Sequence, residues 1–182
     1  VLYDVTPLAD RFLIRTNKDA KNFKLMECPL DKTGVENWKD YIPHRTDVLL
    51  QGVEEFKDFI VVNERKNGLV QFRVRSLKDN SEYYIDFGEA AFAAGFTGNA
   101  EYNSPILRYN YTSLTTPASI YDYNLQTKAK KLMKQQEVVG GYNPQDYVSE
   151  RVMVTAKDGA QVPLSIVYKK GLQKDGNNPC LI

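Results

Sequence analysis

The feature that most constrains the fold of this chain is a repeat of 47 residues. Three short apolar runs recur at this interval, with Ile14, Val61 and Arg108 in equivalent positions. Each run is followed by a polar turn and then by a second segment in which apolar and polar residues alternate, as in a half-buried β-strand. Asn67-Gly68 in the middle turn indicates a tight hairpin, because both residue types tolerate positive φ. The runs and their partners are 11–15 with 23–28, 58–62 with 70–75, and 105–109 with 118–123.

A third short strand closes each repeat, at 38–42, 83–87 and 130–133, and a further segment precedes the second and third repeats, at 47–53 and 91–96. Four short strands in about 47 residues match one blade of a β-propeller. A β-sandwich also has strands at such spacing, but repetition of the whole four-strand unit favours the propeller. We therefore predict an all-β chain with about three four-stranded blades, the first incomplete, and very little helix.

The pattern changes after Gln136. Gly140-Gly141 begins a cluster of residues that break regular structure. Two alternating strands follow, at 150–156 and 161–168, and Gly159 between them supplies the positive φ that a hairpin turn requires. The predicted organisation is propeller blades over 1–138, a linker over 139–149, and the start of a second domain over 150–182.

Composition argues against several classes of function. Basic and acidic residues number 24 and 23, so the net charge of +1 indicates neither a nucleic-acid-binding surface nor an acidic tail. No apolar run approaches the roughly 20 residues of a membrane helix. Cys28 and Cys180 lie outside any Cys-x-x-Cys motif, which favours two buried, reduced thiols over a disulfide. Val1 is not a start methionine and the chain stops at Ile182 as an apolar run is beginning, so we expect a piece of a longer protein.

Several motifs resemble the oligopeptidase B branch of the prolyl oligopeptidase family of serine peptidases, and the resemblance covers essentially the whole chain. They occur in the order found in that family. The motifs are PHRTDVL at 43–49, YTSLTTP at 111–117, YDY at 121–123, KQQEV at 134–138, YVSER at 147–151, AKDG at 156–159, VPLS at 162–165 and KDG at 174–176.

The resemblance implies a seven-bladed propeller that caps an α/β-hydrolase domain with a Ser-Asp-His triad. Members hydrolyse short peptides by acyl transfer through a serine ester, and this branch prefers cleavage after Arg or Lys. The present chain would contain the last propeller blades and the first hairpin of a truncated hydrolase domain. Its partners would be short peptides and the rest of the parent chain, with no nucleic acid, membrane or cofactor. A cytoplasmic location is implied, while a periplasmic one stays open.

The residues themselves indicate no catalytic centre in this chain. A nucleophile elbow needs G-x-S-x-G, and no serine here has glycine two residues away on both sides. Ser165 alternates within a strand, and the only histidine, His44, lies in a loop where a hydrogen-bonding role is favoured over catalysis. One histidine and two separated cysteines cannot form a zinc site. Glu54, Glu55 and Asp58 indicate a solvated acidic face, so we predict no catalytic, cofactor-binding or metal residues.

Lysines cluster at the end of the third repeat, and we expect them to protect an edge strand from pairing with other chains rather than to bind nucleic acid. Lys128 and Lys130 should share a face, with Lys131 opposite. The segments 47–53 and 91–96 are predicted to line a central channel. The lysines of the cluster are Lys128, Lys130, Lys131 and Lys134.

Two alternatives to a peptidase fragment remain. A stand-alone interaction module is possible, but three blades are too few to close a ring and would leave open sheet edges. We therefore expect self-association of the isolated chain, and a clean monomer at high concentration in sedimentation would contradict this. A complete β-sandwich enzyme would lack both a nucleophile and a base.

Overall fold

The computed structural model describes residues 1–181 as three four-stranded antiparallel sheets followed by a two-stranded hairpin. Within each four-stranded sheet the strands lie in chain order, so every strand pairs with the next one along the chain. Helix in this part of the chain is limited to two single 3₁₀ turns, Val35–Asn37 and Pro144–Asp146. The prediction of a nearly all-β chain built from repeated four-stranded units is confirmed. Ile14, Val61 and Arg108 each lie in the second strand of their sheet.

The strands are bounded as follows. The first sheet contains β1 (Tyr3–Pro7), β2 (Arg11–Thr16), β3 (Lys24–Pro29) and β4 (Lys39–Ile42). The second sheet contains β5 (Val48–Glu55), β6 (Phe59–Lys66), β7 (Leu69–Ser76) and β8 (Glu82–Tyr84). The third sheet contains β9 (Phe92–Phe96), β10 (Ile106–Ser113), β11 (Ser119–Asn124) and β12 (Lys130–Gln135). The hairpin consists of β13 (Tyr147–Thr155) and β14 (Gln161–Lys169).

The first sheet has four strands where the sequence analysis expects an incomplete blade. The additional strand is β1, which pairs with β2 so that Val5 lies opposite Ile14. Tyr3 and Val5 are 58% and 49% exposed. Because β1 buries so little apolar surface, its sequence lacks the apolar run that marks the other strands, and only backbone pairing identifies it.

Several strand boundaries differ from the prediction, among them the ends of β8 and β12. β8 stops at Tyr84, whereas the prediction extends to Phe87. Ile85 and Phe87 are instead buried in the core. In the other direction, β12 continues to Gln135, where it lies opposite Ser119 of β11.

The two predicted hairpin turns are present. Asn67 and Gly68 join β6 to β7 with φ values of 50° and 74°, and Lys66 lies directly opposite Leu69. In the hairpin, Gly159 has a φ of 85°. Positive φ at these positions matches the right-handed twist of the flanking strands, which is why the residue types alone predict the turns.

The second sheet is buried on both faces between the other two. Ile60 and Val62 of β6 pack against the first sheet, whereas Val61 between them packs towards the third. Successive side chains of a strand point to opposite faces. A strand that is covered on both faces therefore appears as a continuous apolar run, as 59–62 does.

The contact between the second and third sheets is an aromatic core. Phe72 is fully buried, and its ring centroid lies 4.7 Å from that of Phe96 and 5.3 Å from that of Phe87. Tyr109 also contacts Phe72 edge-on, with 5.9 Å between centroids. Tyrosines of the third repeat extend this packing, since Tyr109 lies directly opposite Tyr121 with its ring stacked at 5.7 Å. The buried members of this core are Phe56, Val61, Val70, Phe72, Val74, Ile85, Phe87, Leu107, Tyr109, Tyr111, Tyr123 and Leu125.

The far face of the third sheet is open. Along β10, Leu107 and Tyr109 are buried, while Arg108 and Asn110 between them are exposed. This face carries a groove of about 650 Å³. The alternation of β10 thus reflects its position at the end of the stack, whereas β6 in the middle has none.

Candidate functional site

β1 and β5 approach each other between adjacent sheets, whereas β12 lies at the far edge of the third sheet with all its residues exposed. The segments predicted to line a channel correspond to β5 and β9. Their role in lining a channel stays a prediction.

The candidate residues named from the sequence lie on separate elements. His44 precedes β5, and its Nε2 accepts a hydrogen bond from the backbone N–H of Asn22 at 3.3 Å. Ser165 lies in β14, directly opposite Arg151 of β13. Glu54 is the penultimate residue of β5, where burial and then the neighbouring Glu55 raise its pKa. Within residues 1–181 no hydrogen bond joins His44, Ser165 and Glu54 to one another.

Three further expectations can be compared with the coordinates. Asp58 forms an ion pair with Lys78 at 3.3 Å. Cys28 is buried, as expected, but Cys180 is exposed, because the residues around it in the chain are exposed loop. Both thiols are free.

Three lysines of the cluster, Lys130, Lys131 and Lys134, lie in the edge strand β12, as predicted. Lys128 and Lys130 do not share a face through strand alternation, although the sequence predicts that they do. Lys128 lies before β12 and has a φ of 64°, which is not an extended conformation. The ammonium of Lys130 lies 4.3 Å from the centroid of the Tyr121 ring, and that of Lys128 lies 4.2 Å from the Tyr83 ring. Cation–π contacts of this kind give these lysines a packing role in the third sheet.

A buried carboxylate that sequence reasoning missed lies where the first and second sheets meet. Glu64 of β6 is fully buried and forms ion pairs with two arginines. Arg45 comes from the connection before β5, and Arg73 comes from β7 with its Nη2 at 2.7 Å from Glu64 Oε1. The hydroxyl of Tyr84 donates to Glu64 Oε2 at 3.1 Å. Through these ion pairs, the carboxylate links the connection between the first and second sheets to the middle strands of the second sheet.

A second carboxylate, Glu89, lies just before β9 and accepts hydrogen bonds from hydroxyls of β10 and of the turn between β10 and β11. Tyr111 donates to Oε1 at 2.8 Å and Thr116 donates to the same oxygen at 2.6 Å. Thr115 donates to Oε2 at 2.9 Å. Burial alone would raise the pKa of Glu89, but the hydrogen bonds from Ser113, Thr116, Tyr111 and Thr115 together hold it below its usual value.

Replacing Glu89 by glutamine is expected to lower the local free energy of unfolding of the third sheet by about 1–2 kcal/mol at neutral pH. The glutamine amide keeps one acceptor oxygen, but its NH2 group is a donor. This group replaces the second carboxylate oxygen and faces hydroxyls that need an acceptor. The folded pKa of Glu89 is lowered, so its contribution is complete above the ordinary value of 4.5 and is lost as the pH falls through the folded pKa.

The stability difference between wild type and E89Q should therefore shrink as the pH is lowered from about 5 to about 3. Hydrogen exchange of the backbone amides of β10 and β11 measures this difference in the local free energy of unfolding. The exposed Glu101 provides the matched variant E101Q, which we expect to show no such convergence. A difference that stays constant over this pH range would contradict the role of the Glu89 carboxylate.

The hairpin and the connection that precedes it contact the sheets at two turns. Nη2 of Arg151 donates to the backbone carbonyl of Asn67 at 2.5 Å, in the turn between β6 and β7. The hydroxyl of Tyr142, in the connection before the hairpin, donates to the carbonyl of Thr115 at 3.0 Å. A crevice of about 230 Å³ adjoins this second contact, between Leu114, Thr115, Tyr142, Tyr147, Val167 and Tyr168. Both contacts lie at the same end of the stack, where β6 and β10 end.

Among the described residues, no three His, Cys, Asp or Glu side chains are grouped closely enough to hold a metal ion. No helix in residues 1–181 is long and apolar enough to cross a membrane.

The chain is similar to known peptidases over its full length. A family model described as prolyl oligopeptidase, N-terminal β-propeller domain, matches residues 2–136. The chain is 43% identical to dipeptidyl aminopeptidase BI of Pseudoxanthomonas mexicana, covering 100% of the chain and 25% of that relative. It is 31% identical to protease 2 of Moraxella lacunata, covering 100% of the chain and 26% of the relative.

Solved structures agree with these similarities. Oligopeptidase B from Trypanosoma brucei with covalently bound antipain, in its closed form, superposes with a TM-score of 0.79 at 30% identity, over 95% of this chain and 26% of that one. The chain therefore spans about a quarter of the length of the relatives and structures it matches.

Proposed function

Since the chain belongs to the prolyl oligopeptidase family of serine peptidases and contains part of the N-terminal propeller of that family, we propose that it forms the substrate-gating segment of an oligopeptidase. The parent enzyme hydrolyses short peptides, preferentially after Arg or Lys. The observation that carries the proposal is the stack of three repeated four-stranded sheets within the matched residues. Blades of this kind close into a ring around a central channel, which excludes folded proteins by its width.

The hairpin supports the assignment of 150–182 to the start of a second, catalytic domain. One face of the hairpin exposes a row of apolar side chains to solvent. A two-stranded hairpin is at best marginally stable by itself, and a contiguous apolar face of this kind is normally covered. The exposed residues of this face are Val154, Val162, Leu164 and Ile166.

Catalysis is proposed to belong to the part of the parent protein that this chain does not span. Acyl transfer needs a serine nucleophile, a histidine base and donors for the oxyanion. The preference for Arg or Lys is proposed from the resemblance of the sequence motifs to the oligopeptidase B branch. On this proposal the 182-residue chain alone has no peptidase activity.

A second candidate is the release of dipeptides from the N-terminus of a peptide. It is favoured by the 43% identity to a relative named dipeptidyl aminopeptidase BI. The two candidates differ in whether the substrate needs a free α-amino group. N-terminally blocked and free dipeptide substrates with the same Arg residue before the cleaved bond therefore separate them.

The test uses the full-length protein and chromogenic amides of such peptides. We expect hydrolysis of the N-terminally blocked Arg substrate, and a serine-directed inhibitor should abolish this hydrolysis. The kcat/KM for the Arg substrate should exceed that for the matched Ala peptide by about 100-fold or more, because the Ala peptide leaves the charged group of the pocket without a partner. The isolated 182-residue chain is the control and should show no turnover. Cleavage of the free dipeptide substrate alone would support the second candidate, and no serine-dependent hydrolysis of either would refute both.

A further inference from the structure

The contact between the first and second sheets has an apolar part and a charged part. The apolar part is formed by side chains such as Leu13, Ile60 and Val62. Beside it lies a group of charged side chains, which we name the polar interface, and none of them is more than 35% exposed. The members of the polar interface are Arg11, Glu27, Arg45, Glu64, Arg73, Arg75 and Glu82.

Ion pairs connect these side chains within each sheet. In the second sheet, Nη1 of Arg73 lies 3.3 Å from Oε2 of Glu82, and Nη1 of Arg75 lies 3.5 Å from Oε1 of the same carboxylate. In the first sheet, Nε of Arg11 lies 3.3 Å from Oε2 of Glu27. Together with the ion pairs of the buried carboxylate in β6, these contacts involve every carboxylate of the polar interface.

The charges of the polar interface do not balance. Its four arginines and three glutamates leave an excess of one positive charge. Asp10 and Lys39 lie at its margin, but both are exposed and their charges cancel. A charge that is removed from water is costly unless opposite charge and hydrogen bonds compensate it. The polar interface is therefore one negative charge short.

The polar interface also contains donors that have no acceptor, and they surround Tyr41 of β4. The guanidinium carbon of Arg75 lies 4.6 Å from the centroid of the Tyr41 ring, and that of Arg11 lies 5.6 Å from it. Within residues 1–181 the Tyr41 hydroxyl is buried without a hydrogen-bond partner, and so are Nε of Arg73 and Nε of Arg75. Burial raises the pKa of Tyr41, so its hydroxyl keeps the proton at neutral pH and can donate.

We propose that the polar interface binds one halide ion, such as chloride, through the Tyr41 hydroxyl and the guanidinium groups of Arg73 and Arg75. A halide supplies both the missing negative charge and an acceptor for these donors, whereas a water molecule supplies only the acceptor. A monovalent ion matches the excess of one charge, and a phosphate would exceed it. A crevice of about 240 Å³ beside Arg11 and Glu27 gives access from solvent. The proposal goes beyond the proposed function and does not depend on it.

The first test compares the full-length protein in sodium bromide and in sodium gluconate at equal ionic strength, since gluconate is too large to enter the polar interface. Hydrogen exchange of the backbone amides of β4 and β7 is the measurement. A ligand that binds only the folded state slows exchange through unfolding in proportion to its occupancy of the site. At a bromide concentration about ten times the dissociation constant, exchange should be about 10-fold slower than in gluconate. In crystals grown with bromide, an anomalous peak should lie beside Tyr41.

Two variants assign the effect to the named side chains. Arg75→Gln removes the excess charge, so bromide should no longer slow exchange more than gluconate does. Tyr41→Phe keeps the ring but removes one donor, and the bromide affinity should fall by about 10-fold, as expected for one hydrogen bond to a charged group. The matched control is Tyr83→Phe, which removes a hydroxyl that donates to the carbonyl of Leu125 at 2.7 Å, between the second and third sheets. Y83F should keep the wild-type bromide dependence.

Equal exchange rates of the wild-type protein in bromide and gluconate would overturn the proposal, and so would bromide peaks that lie only outside the polar interface. An R75Q variant that folds and keeps the bromide dependence would also overturn it. Should R75Q not fold, Y41F decides, because a bromide affinity equal to that of wild type would exclude the Tyr41 hydroxyl as a ligand. None of these measurements uses peptide hydrolysis, so a failure of the halide site leaves the proposed function unaffected.

Discussion

Replacing Phe72 by alanine is expected to lower the free energy of unfolding of the second and third sheets by about 3–5 kcal/mol, because the mutation leaves a cavity in a closely packed core. Phe72 is fully buried, and its ring contacts Phe87, which follows β8, and both Phe96 and Tyr109 of the third sheet. Aromatic pairs of this geometry add about 0.5–1.5 kcal/mol each beyond the buried area. The truncation therefore weakens the contact between the two sheets as well as the second sheet itself.

Native-state hydrogen exchange of the amides of β7 and β10 measures this loss for these sheets specifically within the full-length protein. Leu132 of the edge strand β12 is 47% exposed and provides the matched variant L132A, for which we expect a change within about 0.5 kcal/mol. A loss below about 1 kcal/mol for F72A would mean that the two sheets do not pack on each other as described.

Replacing Glu64 by glutamine is expected to lower the free energy of unfolding by about 3 kcal/mol or more, since removal of one partner of a buried ion pair leaves uncompensated charge. Glu64 is fully buried, and the side chain of Arg73 is only 11% exposed. The glutamine side chain has nearly the same volume, so the effect measures the charge and its hydrogen bonds rather than packing. Urea denaturation at neutral pH, followed by the loss of β-sheet circular dichroism, is the measurement.

The control for E64Q is Asp47→Asn in the connection between the same two sheets. Asp47 forms an ion pair with Lys66 at 3.0 Å, but both side chains are about half exposed. Exposed pairs contribute about 0–1 kcal/mol, so D47N should shift the denaturation midpoint little. Equal shifts for the two variants would show that the Glu64 carboxylate is not a buried, paired charge.

Most of the β-architecture could be predicted because it depends on local patterns. The alternation of 70–75 predicts a half-buried strand, and Asn67-Gly68 predicts the turn that joins it to β6. Both are present. β1 was not predicted as a strand, since its side chains are exposed and its position depends on backbone bonds to β2. The sequence pattern predicts that Phe87 lies in a strand. In the structure β8 ends at Tyr84, and the Phe87 ring packs into the aromatic core.

The polar contacts could not be predicted in the same way. Glu64 lies within the sequence ERK at the end of an apolar run, where a solvated charge is the ordinary expectation. Arg151 and Asn67 are 84 residues apart, and Glu89 is separated by more than 20 residues from the hydroxyls it binds. No local pattern links such residues.

By itself, the sequence determined the 47-residue repeat, the strands with apolar or alternating patterns, their turns and the family resemblance, since each depends on residues close together in the chain or on motifs in order. Tertiary structure alone decided which faces are buried, which carboxylates are neutralised, and where the hairpin touches the sheets. The physical reason is that burial and charge pairing depend on how sheets stack, and stacking brings together residues whose spacing along the chain carries no information about their contact.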